Sequence, residues 1–169
     1  ISGNIQKTPI YGISVDEKGE NGPKVKKVYK IAEGYEIPNG IALHDSDVYF
    51  TTNTEIFKIP NADNQLDAPQ APQLVSSTFF DADAVKPNQL WHGWRYTRVP
   101  EGSDRLHVSI GSPCNTPDDP KNGTCNCLLH DRACTYPDIP SRAYIGAIIS
   151  GKLPNFTDVR VEAHGTRNC

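Results

Sequence analysis

An all-β fold is predicted by three features of the sequence. No apolar spacing of 3.6 residues is sustained over three turns, so helix signals are nearly absent. Short β-branched and aromatic runs recur between clusters of Gly, Pro, Asn and Asp. Those runs also repeat in order along the chain.

Taken in order, the predicted strands are Pro9–Val15, Val25–Ile31, Gly40–His44, Val48–Thr52, Glu55–Ile59 and Gln73–Phe79. Two more, Leu90–Val99 and Asp104–Gly111, form a hairpin, since Pro100-Glu101-Gly102-Ser103 has the residues that reverse a chain. Within it Arg95, Arg98, Arg105 and His107 alternate loosely with apolar neighbours, the period of a half-buried strand. Tyr144–Ser150 and Asp158–Ala163 complete the set.

One unit runs from Asn39-Gly40 through a turn at Asp45-Ser46-Asp47 to Ile59-Pro60. A second runs from His92-Gly93 through Ile110 and resumes at Ala143–Ile149 after an insertion, Ser112–Ile139. His164-Gly165-Thr166-Arg167-Asn168 reads as the opening of a third. Gly40, Gly93 and Gly165 are thereby expected at equivalent places. A repeat of about 40–50 residues, worth three or four strands, is the signature of a β-propeller blade. The 169 residues make between three and four such blades, whereas closed rings take about four to eight. The expectation is a single propeller domain over 1–169, incomplete by itself, with a cysteine-rich insertion at 112–139.

Composition narrows the function. Net charge is −3 with both signs scattered, and no basic run marks a nucleic-acid partner. No apolar stretch is long enough for a membrane span. Met is absent, position 1 included, and no signal peptide is seen, as expected of a mature or cut product or an incomplete record. Five cysteines, at 114, 125, 127, 134 and 169, and two sequons, at Asn122 and Asn155, predict a secreted, oxidising setting. Cys125 and Cys127 are too close in sequence to bond each other without strain, so Cys114 and Cys134 are their expected partners, in either order. Cys169 is left over as a free thiol or a link to another chain. The Cys125–Cys134 segment with His130 also holds soft ligands for zinc, but at no standard zinc spacing. Asp45-Ser46-Asp47 and Asp81-Ala82-Asp83 are short acidic clusters that serve as turns or, less often, as calcium ligands.

Pro38-Asn39-Gly40, then His92-Gly93 with Arg105–Asn115, then Ala163-His164-Gly165-Thr166-Arg167-Asn168, resembles the soluble sugar dehydrogenases that use pyrroloquinoline quinone (PQQ), in their L-sorbosone dehydrogenase-like branch. The resemblance spans nearly the whole chain and implies a six-bladed propeller, about half of it present here, with PQQ and Ca²⁺ at one end of the central channel. It implies His92 as general base toward a sugar or polyol, and Arg167 and Asn168 as quinone contacts. The family's metal ligands fall beyond Cys169, so no metal ligand is assigned in this chain. The Pro100–Asp104 turn departs from the family's Gly-Pro-Asp-Gly, and the cysteine-rich insertion and Cys169 are further departures.

The residue chemistry agrees with those roles. A neutral imidazole suits removal of a hydroxyl proton near pH 7, and a planar guanidinium suits a reduced, negatively charged quinone. The same residues also read as structural, His92 as a hydrogen-bonded strand-end histidine and Arg167 as one side of a salt bridge. Two other functions fit the sequence: a non-catalytic extracellular propeller for binding or assembly, and a calcium-dependent lactonase-like propeller, which shares the Pro-Asn-Gly motif.

Overall fold

The computed structural model describes residues 7–18, 21–77, 94–111 and 146–166. Ten strands and no helix occur among them, and every pairing is antiparallel. β1 (Ile10–Asp16) and β2 (Lys24–Ala32) form a two-stranded hairpin. β3 (Gly40–His44), β4 (Asp47–Thr51), β5 (Ile56–Ile59) and β6 (Gln73–Ser76) follow one another across a four-stranded sheet, the first sheet. β7 (Thr97–Arg98), β8 (Arg105–Ile110), β9 (Gly146–Lys152) and β10 (Thr157–Thr166) do the same in a second sheet.

The two-residue side-chain period explains how the sheets stack. On β4, Tyr49 points to one face and Phe50 to the other, and both are fully buried. Tyr49, with Ala42 and Ile56, packs against Leu106, Val108, Ala147 and Ile149 of the second sheet. Phe50, with Ile59, packs toward the hairpin through Ile10, Ile31 and Ala32. The first sheet is therefore the middle layer, apolar on both faces. Rings of Tyr35, Phe50 and Phe57 meet at centroid distances of 4.7–5.3 Å, two pairs edge-on and Phe50–Phe57 stacked.

All the predicted strands that fall on described residues are present, most with edges moved by one or two residues, while β6 ends at Ser76 instead of Phe79 and β10 runs three residues past Ala163. Two placements are corrected. His164-Gly165 does not open a third unit, because β10 is one strand from Thr157 to Thr166 and pairs His164 with Ala147 and Thr166 with Gly146. Gly40 begins the first strand of its sheet and Gly165 lies on the last strand of the next, so these two glycines are not equivalent. β10 stays one strand by absorbing register shifts at three points rather than breaking. The hairpin strand expected over Leu90–Val99 is shorter as well: Trp94, Arg95 and Tyr96 precede β7, which is Thr97–Arg98 alone. Gly93 lies outside the described residues.

Phe50→Ala should cost about 3–5 kcal/mol, as expected for truncating a fully buried aromatic ring. Leu74→Ala, on a side chain 55% exposed, should stay within about 0.5 kcal/mol. Urea unfolding of the two variants measures the difference.

Candidate functional site

The first strands of the two four-stranded sheets, β3 and β7, touch each other where both begin. Pro38-Asn39-Gly40 makes the contact possible. A Cβ on Gly40 would lie 2.1 Å from the Arg95 carbonyl oxygen and 2.6 Å from Thr51 Oγ1, so only glycine fits. Asn39 is buried beside it. Its backbone N–H donates to the Thr51 carbonyl (3.1 Å) and its Nδ2 donates to the Ile37 carbonyl (3.1 Å). Its Oδ1 accepts from the Arg95 backbone N–H at 2.7 Å. Thr51 Oγ1 donates to the Arg95 carbonyl at 2.9 Å. One side chain of the first sheet thus serves each backbone polar group of Arg95.

The Arg95 side chain is itself only 3% exposed. Nε donates to the Asn53 carbonyl (3.1 Å) and Nη1 to the Trp94 carbonyl (3.5 Å). Burial pulls the guanidinium down to about 10, which leaves it charged at neutral pH. Thr52 and Asn53 turn β4 into β5 around it, with the Glu55 N–H donating to Thr52 Oγ1. Two further buried oxygens, Asn53 Oδ1 and Thr97 Oγ1, have no hydrogen-bond partner among the described residues. Ile37, just before the motif, takes a left-handed φ of 46°, a strained conformation for a β-branched residue. The arrangement is a fixed positive charge at a point where two sheets converge, and fixed charges of this kind stabilise negative charge developing nearby.

The topology gathers other parts of the chain at this same end. Gly40 pairs with Thr51, Thr51 with Ile56 and Ile56 with Ser76, so β6 finishes here. β8 finishes at Ile110, opposite Ala147 on β9, and Ala147 is opposite His164 on β10. The segments 78–93, 112–145 and 167–169 therefore all join the described strands at the Arg95 end. The other end carries the turns at Asp45–Ser46, Pro100–Ser103 and Leu153–Phe156.

His92, Arg167 and Asn168, the proposed catalytic and quinone residues, lie outside the described residues. So do Asn122 and Cys114, Cys125, Cys127, Cys134 and Cys169. Their described neighbours are Trp94, Gly111, Gly146 and Thr166, at the end just defined. Asn155 is described: it is exposed, in the turn between β9 and β10 at the far end. Asp45-Ser46-Asp47 is a turn. Asp45 has a left-handed φ of 52°, and Asp47 accepts from the Asn61 N–H at 2.8 Å and meets Lys58 at 3.3 Å. Asp81-Ala82-Asp83 lies outside the described residues. Among the described residues, no group of three or more His, Cys, Asp or Glu side chains is placed to hold a metal ion.

Sequence reasoning assigned Arg95 to a half-buried strand and missed its burial. The signal available was indirect, a Pro-Asn-Gly motif whose glycine demanded a close backbone neighbour. At the far end an open cleft of about 460 Å³ lies between the β3–β4 and β7–β8 turns, with His44, Asp45, Glu101 and Asp104 along it. His44 Nε2 is 3.8 Å from Asp45 there.

A polar network covers the outer face of the second sheet. Arg105 donates to Ser150 Oγ (2.9 Å) and to Asp158 (3.1 Å), while Ser150 Oγ also bonds Glu162. The hydrogen bond from Arg160, with that from Arg105, holds the Asp158 carboxyl below the usual carboxylate range.

Comparison with protein-family models, with curated proteins and with solved structures finds no match in any of the three.

Gly40→Ala should separate β3 from β7 and destabilise the chain by about 1–3 kcal/mol, toward the upper end of what a forced overpacking costs. Asn39→Ala, which strips the Arg95 N–H of its acceptor, should cost about 1–3 kcal/mol. Both are read from chemical unfolding. Because the folded-state value of Asp158 is depressed, its contribution is present at neutral pH and fades as pH falls below about 4. Asp158→Asn should therefore flatten the acid limb of a stability-versus-pH curve and leave no new dependence above it.

Proposed function

We propose that this chain is part of a β-propeller that oxidises a sugar or polyol with a bound PQQ, His92 acting as general base. The observation that carries the proposal is topological. The segments holding His92 and Arg167-Asn168 join the described strands at one end, the end where Arg95 is buried between two successive sheets. Two four-stranded antiparallel sheets in sequential order, packed face to face with their first strands in contact, support the propeller. In this reading the chain supplies about half of a six-bladed ring, and the rest comes from further sequence or from another chain, with Cys169 as one possible link.

On residue chemistry, His92 takes the substrate hydroxyl proton, and Arg167 and Asn168 hydrogen-bond the quinone oxygens. Arg95, three positions from His92 in sequence, adds a fixed positive charge at the end where the His92 segment joins the described strands. PQQ, when bound, supplies the hydride acceptor that protein side chains lack. The described residues offer no Ca²⁺ site, so the metal of this reading takes its ligands elsewhere. A secreted location accompanies the proposal, with a glycan at Asn155 kept away from the functional end. A non-catalytic binding propeller is the competing reading, favoured if no quinone binds.

The full-length protein supplied with PQQ and Ca²⁺ should reduce a dye in the presence of sugar. His92→Asn should lower that rate about 100-fold or more, the usual share of general-base catalysis. Failure of the wild-type protein to bind the quinone, followed by its absorbance, would sink the enzymatic reading.

A further inference from the structure

An asparagine followed by glycine carries its own attacking group. The glycine backbone nitrogen can reach the asparagine side-chain carbonyl carbon, and no Cβ stands in the way. Asparagines lie among the described residues at 21, 39, 53, 61, 64 and 155, and of these only Asn21 and Asn39 precede a glycine. The surroundings of the two pairs are opposite. Asn21 and Gly22 are both exposed, in the turn of the β1–β2 hairpin beyond its last paired residues, Asp16 and Lys24. Gly22 takes a left-handed φ of 89°, and no atom beyond its chain neighbours lies within 4 Å of where its Cβ would be.

We propose that Asn21-Gly22 is a site of spontaneous deamidation and isomerisation in the folded protein, and that the junction of the two sheets protects Asn39-Gly40 from the same chemistry. The inference is independent of the propeller reading. In the reaction the Gly22 nitrogen bonds to Asn21 Cγ and the Cγ–Nδ2 bond breaks. The displaced amine takes up the Gly22 amide proton and leaves as ammonia, and a cyclic succinimide remains. Water then opens the ring at either carbonyl, which gives aspartate or isoaspartate. Nothing is oxidised or reduced, and each event takes the formal net charge of −3 down by one unit. Because this turn lies beyond the paired residues, the new carboxylate or the rerouted backbone leaves the strand register intact.

At Asn39 the same reaction is blocked. Nδ2 donates to the Ile37 carbonyl at 3.1 Å and Oδ1 accepts from the Arg95 N–H at 2.7 Å, so the side-chain amide is held at both ends. Gly40 is paired with Thr51 in the first sheet, and the Arg95 carbonyl crowds it from the second. Asn39 is only 7% exposed, which keeps away the water that would open a ring. Reaction there requires β3 and β7 to part, and its rate follows the population of that open state. Unfolding removes the protection, and the product is then harmful. Isoaspartate at 39 lengthens the backbone where β3 and β7 touch, and aspartate deprives the Ile37 carbonyl of its donor. The two pairs therefore age differently, one as a mark on the folded chain and the other as a trap for the unfolded one.

Incubation of the whole chain in mildly alkaline buffer, followed by peptide mapping with mass spectrometry, tests this. In the folded protein Asn21 should convert about 100-fold faster than Asn39 or more, because Asn39 reacts only from a rarely populated open state. The product at 21 should be a mixture of aspartate and isoaspartate, the signature of the cyclic route. In guanidinium chloride, where the chain is unfolded, the two sites should convert at similar rates. The fraction that refolds on dilution should fall in step with conversion at Asn39 and be indifferent to conversion at Asn21. An Asn21 that stays intact in the folded protein overturns the first half of the proposal. An Asn39 that converts as fast as Asn21 in the folded protein overturns the second half, as does full refolding of chains already converted at Asn39.

Discussion

The contact between Gly40 and the Arg95 carbonyl fixes how the two four-stranded sheets meet. Backbone comes within reach of backbone there because position 40 has no side chain. Close approach removes water from the Arg95 amide and carbonyl, which then need partners inside the protein. Asn39, just before β3, and Thr51, at the end of β4, supply them. A short motif thus sets both a steric limit and the hydrogen bonds that the limit makes necessary. Everything that follows Arg95, including the Thr97–Val108 pairing that starts the second sheet, inherits its position from this junction.

Apolar faces are distributed unevenly around that junction, and the unevenness gives the molecule a direction. The middle sheet buries both faces, through Tyr49 on one side and Phe50 on the other. Beyond it, the second sheet turns an apolar face inward and a charged row outward, while the hairpin turns an apolar face outward as well. Arg105 and Asp158 on one flank and Ile13 and Val28 on the other are different solutions to facing solvent. The first is stable alone; the second is stable when covered.

Strand positions were legible because they depend on a local alternation that neighbouring residues carry by themselves. β3, β4 and β8 came within one or two residues of their final edges for that reason. The end of β10 was not legible. Glycine inside a strand reads as a boundary, and Ala163-His164-Gly165 looked like the opening motif of a new unit. What holds the strand together is its pairing with β9, a neighbour across a turn whose register is interrupted three times. Arg95 was misjudged for a longer-range version of the same cause. Its burial depends on carbonyl and side-chain partners at Asn39, Thr51 and Asn53, more than forty residues earlier. No window around Arg95 contains that information.

The division of the molecule into two ends has a thermodynamic side. Asp45–Ser46, Pro100–Ser103 and Leu153–Phe156 close one end with short turns, which keeps the strands in register cheaply. At the other end, β8 and β9 pair right up to Ile110 and Ala147 although residues 112–145 intervene. Loop-closure entropy grows only with the logarithm of length. Replacing a four-residue turn by this segment therefore costs roughly 2 kcal/mol, about three doublings of loop length. That is close to the value of one buried Leu or Phe side chain, and Leu106, Val108 and Ile149 are all fully buried in the two strands that bear it. The sheet can carry a long cysteine-rich segment at the Arg95 end because its core offsets that cost. A long connection is accommodated where it least disturbs the paired strands, and connections of this kind are also where functional residues are most often placed.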